Sequence, residues 1–453
     1  GMQLFDLQRI EVVKGPQGTL YGRNTTGGAI NVITRRPDLS GANGYLTAGF
    51  GNFNTTEVSG AGEWTLAPDV FGVRAAFAWA EGDGQLENHN PGSPDMRSTD
   101  SIAGRLAIRF RPTDSLDFDL RLHASDSAPL ADVPVTIGVL PGQAQADGYV
   151  RPSNYSIWDT DSSNTGEFTT SGSGAAFHAR WTSGDVQIVS LSAYDNGEQA
   201  LHNDFDGSFL DWGVVDWRAE FEQFNQDIRL LYTGDRFVGT VGVYYGWDEN
   251  RTHNTYDFFS LLEGIFPGFN PPANPAADLT TGLFPGPVTG FGVDHYFTQT
   301  RTSYAAYAEG ELSITDALTV ILGVRYTHDE IELDNVQSFA LDYGHTPQLN
   351  LIPPGLYDPT ATFGPISQSD NVVTGRLILE YEFNDELSLY GGYSRGYRSG
   401  AINGTAYLSP AQLTFVEPES IDAYELGVKS YLFDRALRLN GAVFYYDYSN
   451  QQI

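Results

Sequence analysis

From Gly44 onward the chain alternates apolar and polar side chains in segments of about ten or more residues, as expected of strands with two unlike faces. Leu116, Phe118, Leu120 and Leu122 interleave with Asp117, Asp119, Arg121 and His123. Leu318, Val320, Leu322, Val324 and Tyr326 do so with Thr319, Ile321, Gly323, Arg325 and Thr327. Val373, Leu377, Leu379, Tyr381 and Phe383 interleave with Thr374, Arg376, Ile378, Glu380 and Glu382. A helical period would mix these charges with the apolar residues on one face, so the pattern predicts strands. No apolar run approaches the roughly 18 residues of a membrane-spanning helix, and a chain like this in a membrane must cross it as strands.

The connections between these segments alternate in length. Short polar turns fall at 67–69, 111–114, 182–185, 233–236, 315–316, 384–386 and 433–435. Long segments rich in Gly, Pro, Asn and Asp lie between them, at about 82–98, 127–165, 199–217, 252–294, 335–367 and 400–417. Tight periplasmic turns alternating with long extracellular loops are the order of an outer-membrane barrel, and a soluble sandwich has no reason to keep it. One strand at 44–51 followed by seven hairpins makes about fifteen strands. The predicted fold class is all-β, an antiparallel transmembrane β-barrel. Plugged barrels of this kind have about 22 strands, so about 15 of 22 are expected here and the barrel is expected to be open. Two observations lead to the expectation of an internal fragment. No signal peptide follows Gly1, and Asp447-Tyr-Ser-Asn-Gln-Gln-Ile453 stops as a strand ends.

Composition narrows the function. A formal charge of −32 opposes nucleic-acid binding, which needs clustered cations. The absence of cysteine removes disulfides, thiolate metal sites and cysteine nucleophiles together. The eight histidines show no paired metal spacing, and His89, His202 and His253 read as solvated loop residues, so no protein-bound metal or cofactor is expected. No convergent set of acids, bases and nucleophiles can be assembled, so an enzyme is not expected. Gly392-Tyr-Ser-Arg-Gly396 has the spacing of a hydrolase elbow but lies in a strand pattern from Leu387 to Tyr397, not at a strand-to-helix turn.

The first 42 residues differ. Two short apolar strands, Ile10 to Val13 and Ala29 to Thr34, flank the glycine-rich connector Lys14-Gly-Pro-Gln-Gly-Thr-Leu-Tyr-Gly-Arg23 and the residues after it. No Gly-Lys-Ser/Thr ending is present, so the connector is not a phosphate cradle. Gly15, Gly18, Gly22, Gly27 and Gly28 are expected where φ is positive or backbones approach closely.

The stretch Glu11-Val-Val-Lys-Gly-Pro-Gln-Gly-Thr-Leu-Tyr-Gly-Arg-Asn-Thr-Thr-Gly-Gly-Ala-Ile-Asn-Val-Ile33 resembles the plug ending of TonB-dependent outer-membrane receptors. The likeness continues in Tyr393-Ser-Arg-Gly-Tyr-Arg-Ser-Gly400, in 417–429 and in Asn440-Gly-Ala-Val-Phe-Tyr-Tyr-Asp-Tyr448. Lys14 stands where the family often has arginine, which keeps the charge but loses bidentate pairing. The resemblance implies that residues 1–42 are the C-terminal part of a plug domain, with motif residues Gly15, Pro16, Gly18, Tyr21, Gly22, Arg23, Gly27, Gly28 and Asn31. Residues 43–453 are then a receptor-like barrel truncated at its C-terminus. It further implies plug cations Lys14, Arg23 and Arg35 facing wall glutamates Glu309, Glu380 and Glu425. The residues alone also allow these to be lumen charges bonded to water.

By the same resemblance the chain belongs in the bacterial cell outer membrane, as an active transport receptor energised by the TonB complex, whose contact segment would precede Gly1. An iron-siderophore complex is the implied solute, the iron arriving inside its chelator. Uptake of a glycan, vitamin or aromatic compound, and a passive porin-like channel, are the alternatives. Implied partners are the TonB complex, a small-molecule siderophore, outer-membrane lipid and lipopolysaccharide. Trp158, Phe205, Phe209, Trp212, Phe258 and Phe259, with Phe266 and Phe269, are candidates for ligand capture in the long loops. Loop packing or the interfacial girdle explains such aromatics equally well, with Trp217 and Tyr244 as girdle candidates. Segments 199–217 and 252–294 carry many aspartates and no lysine, which favours a neutral, zwitterionic or weakly charged ligand. Acidic loops can also bind divalent cations that bridge lipopolysaccharide.

Overall fold

The computed structural model describes residues 4–133, 151–163, 166–204, 207, 214–257, 292–341, 347–350, 366–405 and 413–452. The backbone is organised as one large antiparallel sheet whose strands follow chain order. In sequence these are Ala42–Phe50, Thr56–Ala67, Phe71–Gly82, Thr99–Thr113, Leu116–Ser127, Glu167–Ser183, Val186–Asp204 and Val214–Thr233. Phe237–Asp257, Gly292–Ser313, Leu318–Leu341, Ile366–Asn384, Leu387–Arg398, Glu419–Leu432 and Leu437–Ser449 complete it. That is fifteen strands in one path, with the short Pro347–Asn350 added beside Leu318–Leu341. Among the described residues the two outermost strands of this path pair on one side only. A separate hairpin, Leu7–Lys14 with Gly28–Thr34, precedes the sheet.

The alternation in the sequence becomes an inverted distribution of polarity. In Leu318–Leu341, Leu322, Val324 and Tyr326 are 62, 51 and 49 % exposed, whereas Arg325, Thr327 and Asp329 are at most 4 % exposed. Apolar side chains therefore face out and polar ones face in, which suits a wall bathed in hydrocarbon and lined by a polar lumen. No helix is long and apolar enough to cross a membrane. Near the short turns, Phe71, Phe110, Phe118 and Phe177 form a ladder over four strands, with ring centroids 6.3, 6.3 and 6.1 Å apart. Such a row of rings at one height is the geometry of an interfacial girdle.

The strands run further than the polarity pattern suggested. Residues 199–204, 214–217, 252–257, 292–294 and 335–341, expected in loops, belong to strands. In these extensions the side chains lose their two-residue alternation of polarity while the backbone ladder continues. Two small apolar clusters pack under the loops, one of Ile331, Leu333, Val336 and Ile402, the other of Leu86, Met96 and Val133.

Substituting Leu322 by arginine is expected to lower stability in lipid vesicles by about 2–4 kcal/mol, and Leu318→Arg, beside the turn, by about 0–1 kcal/mol. Denaturant titration of vesicle-refolded protein measures both. Equal costs would mean that this face does not lie against hydrocarbon.

Candidate functional site

The N-terminal hairpin and its connector, residues 15–27, meet the polar face of the sheet. The hairpin register sets Glu11 opposite Asn31 and Lys14 opposite Gly28, and the Asn31 amide donates to Glu11 at 3.2 Å. The connector closes on itself through Gly15 N–H to Gly27 O (3.2 Å) and Gln17 N–H to Thr25 O (3.0 Å). Tyr21 N–H donates to Gln17 O at 3.1 Å, and the Thr25 hydroxyl donates to Gly22 O at 2.7 Å.

Two of its glycines are required by how closely it approaches the wall. A Cβ on Gly18 would lie 2.8 Å from Arg395 O and 2.9 Å from Thr374. Gly22 has φ +81°, and its Cβ would lie 2.9 Å from the Arg325 guanidinium. Gly27 differs from expectation. It has neither a positive φ nor any atom within 4 Å of an added Cβ, because its backbone faces open space.

Polar contacts then fasten the connector. Asn24 N–H donates to Tyr397 O at 2.9 Å, and Ser399 N–H donates to Asn24 Oδ1 at 3.3 Å. Tyr397 is fully buried and its hydroxyl donates to Asp329 at 2.8 Å. Pro16 packs on Gly396, where a Cβ would come within 3.0 Å of it. The motif Tyr393-Ser-Arg-Gly-Tyr-Arg-Ser-Gly400 is thus the wall's half of this interface, a role that its sequence did not disclose. Ser394 within it pairs with Arg376 and Ala423 across neighbouring strands, so the hydrolase-like spacing makes no elbow.

Among the described residues no ion pair joins the expected cations to the expected glutamates. Arg23 crosses to the wall, but to Asp248 at 2.5 Å. Burial works against the Arg23 charge, and Asp248 more than offsets it, leaving the guanidinium above its ordinary pKa. Glu309 is held instead by Arg376 through two bonds of 2.7 and 2.6 Å. Register explains why: Gly323 lies between them on the intervening strand and presents no side chain to separate them. Glu380 accepts from Lys429 at 3.0 Å, and Glu425 from the Tyr390 hydroxyl at 2.5 Å. Lys14 lines a cavity of about 200 Å³ with Arg376, Tyr390 and Glu425. Arg35 turns back to Leu7 O of its own hairpin at 3.2 Å. Tyr244, expected in the girdle, faces inward beside Arg325, with its ring 5.4 Å from the guanidinium carbon. Trp217 lies near the loop end of its strand against Tyr256.

A second fastening was not foreseen. Asp6 and Glu63 grip Arg74 from two sides, at 2.5 to 2.9 Å, and all three side chains are at most 4 % exposed. Arg36 bonds Asp119 at 2.5 Å and Asp117 at 3.1 Å, and Arg105 donates to Phe5 O at 3.1 Å. Neither the spacing of Asp6 nor that of Arg74 signals the pairing, since 68 residues separate them.

Of the capture candidates, Phe205, Phe209, Trp212, Phe258 and Phe259, with Phe266 and Phe269, lie outside the described residues. Trp158 is half exposed, with the Arg97 guanidinium 5.5 Å above its ring. It adjoins a junction of two loops, where Glu87–Asn88 pairs in parallel with Asp159–Thr160. His89 is not merely solvated, for it shares a 2.7 Å hydrogen bond with Asp159 and lies 4.5 Å from the Tyr155 ring. His202 and His253 likewise hold Asp216 and Asp294, at 2.5 and 2.6 Å. Ligand atoms of Glu87, His89 and Asp159 fall within 4.8 Å of one another on the exposed junction. Hydrogen bonds from Ser156 and His89 hold the Asp159 carboxyl down to about 2, and the bond to Asp159 raises His89 above its ordinary value. The Tyr155 hydroxyl, which donates to Asp161, is pushed up to about 12, mainly by burial.

A polar-lined strand wall with an N-terminal segment fastened against its inner face defines a class of outer-membrane β-barrel. Residues 126–453 match the family model described as TonB dependent receptor-like, beta-barrel, and the chain belongs to that family. The family places it in the bacterial outer membrane. The Pesticin receptor of Yersinia enterocolitica is 24 % identical over 452 residues, covering 99 % of this chain and 57 % of the relative. The Catecholate siderophore receptor Fiu of Escherichia coli O157:H7 is 23 % identical over 489 residues, covering 99 % and 60 %. The crystal structure of the ferric yersiniabactin uptake receptor FyuA from Yersinia pestis superposes with a TM-score of 0.75 at 20 % identity. That match covers 99 % of this chain and 61 % of FyuA. The chain thus spans about three fifths of the length of these relatives.

Replacing Arg74 by methionine is expected to cost about 3–5 kcal/mol, because it strands two buried carboxylates. Lys429→Met, at a half-exposed pair, is expected to cost about 0–1 kcal/mol. Denaturant unfolding distinguishes the two, and equal costs would mean that the triad is hydrated.

The loop junction is expected to depend on pH at both ends. The Asp159 contribution is present above its ordinary 3.8 and is lost as pH falls through about 2. The His89 contribution is complete below its ordinary 6.5 and is lost as pH rises through the raised value. Protection of the His89 amide, which donates to Thr160 O, measured against its intrinsic exchange rate at each pH, should therefore be greatest between these ordinary values, 3.8 and 6.5. In His89→Ala, protection of the same amide should be lower and should no longer fall as pH rises above 6.5.

Proposed function

We propose that this chain is the gate-and-wall portion of an active outer-membrane import receptor, with residues 1–42 serving as the end of its plug. The observation that carries this reading is a contrast in fastening. The wall is a continuous hydrogen-bonded sheet, whereas the connector is tied to it by a few polar contacts at Arg23 and Asn24 and by the close approach of Gly22 to Arg325. Polar contacts of this kind can be exchanged for water one at a time, so the segment can move while the strand-to-strand hydrogen bonds of the wall stay intact.

The solute is an iron-siderophore complex, a reading supported by relatives named as catecholate siderophore and ferric yersiniabactin receptors. The iron stays within its chelator. Aspartate-rich loop segments favour a chelate of low net charge. Energy comes from the TonB complex, and outer-membrane lipid contacts the apolar face. Lipopolysaccharide meets the polar extension of the strands, where Arg218 and Arg251 lie.

In cells expressing the full-length receptor as their sole siderophore importer, removing the TonB complex should abolish accumulation of labelled ferric siderophore. Undiminished uptake without that complex would support a passive channel instead.

A further inference from the structure

We propose that Arg325 is a binding subsite for a single anionic group of the solute, a carboxylate or phenolate, and that Gly22 covers it while the connector is seated. The proposal rests on the transport reading above. Arg325 is 4 % exposed and, among the described residues, has no carboxylate within the 4.0 Å of an ion pair. Its Nε donates to the Thr327 hydroxyl at 3.0 Å. The rings of Tyr244 and Tyr307 lie 5.4 and 5.3 Å from its guanidinium carbon, so aromatic faces stand where a counter-ion would be.

The cage is itself held. The Tyr244 hydroxyl donates to Asn225 at 2.6 Å, and that of Tyr307 to Asp227 at 2.8 Å. Neighbouring carboxylates are already engaged: Asp227 also by Arg229, Asp248 by Arg23, and Asp329 by the hydroxyls of Tyr397 and Ser303. The remaining face of the guanidinium is covered by Gly22, where a Cβ would lie 2.9, 3.1 and 3.3 Å from Nη2, Cζ and Nε.

Withdrawing the connector removes Gly22 and Arg23 together. Asp248 then lies in the field of Arg301, whose Nε is buried without a partner among the described residues. Arg325 is left as the cation to be matched. A guanidinium with one of its five N–H groups engaged still offers a fork for a carboxylate, and the flanking rings suit an aromatic or planar acid. An acidic mouth that rejects polyanions and a single caged arginine further in would together select a chelate carrying one exposed acid.

The test uses the full-length receptor in cells with an active TonB complex and two labelled iron chelates, one with a free carboxylate and one with that group as a neutral amide. For the acid chelate, Arg325→Met should lower the maximal uptake rate about tenfold or more, the loss of one charge-assisted pair. Surface binding of both chelates and uptake of the amide should stay within about twofold, which also shows that the variant folds. Arg325→Lys should restore most of the acid-chelate rate. Wild-type rates for the acid chelate in Arg325→Met, or equal losses for both chelates in the Met and Lys variants, would overturn the subsite alone. A wild-type receptor that imports neither chelate overturns the transport reading and the subsite with it.

Discussion

Everything in this molecule follows from the need to satisfy backbone N–H and C=O groups where no water is available, since each left unpaired in hydrocarbon costs several kcal/mol. The chain meets that need with long antiparallel strands bonded to their sequence neighbours from Ala42 to Ser449. Pleating then sends alternate side chains to opposite faces. Lipid claims one face for Leu322, Val324 and Tyr326, so polar partners such as Arg325, Thr327 and Asp329 can only point inward.

An interior lined this way is rich in charge, and the charges buried in it must find one another. Register decides the matches. Gly323 leaves a gap through which Arg376 reaches Glu309, and the N-terminal segment supplies Asp6 to Arg74 and Arg23 to Asp248. The segment is therefore fixed to the wall mainly by polar bonds and close backbone approaches, and among the described residues no large apolar cluster lies beneath it. Such an attachment is specific in geometry yet can be hydrated stepwise, which a packed core cannot. The same arrangement leaves Arg325 caged by tyrosines and covered by a glycine.

The strand pattern was legible to the level of a face-by-face assignment at Leu116–His123 and Leu318–Thr327, and the count of about fifteen strands agrees with the fifteen in the sheet path. It became unreadable above the membrane. At 252–257 the ladder continues through Thr-His-Asn-Thr-Tyr-Asp, which is polar on both faces, and at 335–341 it continues through a stretch without regular alternation, so both resembled loops. In the connector, the need for Gly18 and Gly22 was legible because close approach and positive φ leave glycine little substitute, whereas Gly27 carries no such requirement. The partners of Arg23 and Glu309 were not legible. Their separations of 225 and 67 residues mean that only the assembled registers bring Asp248 and Arg376 to them.

By itself, the sequence determined which residues face lipid and which face the lumen in cleanly alternating segments such as Leu318–Thr327, because side-chain alternation is a local property of an extended backbone. It also determined the tightness of the connector, since backbone freedom at a glycine is local too. Only the tertiary structure decided which charges meet, that Tyr244 belongs to the interior, and that Gly22 rests on Arg325. Each of these depends on contacts between strands far apart in the chain, and a shift of one residue in register would exchange every partner.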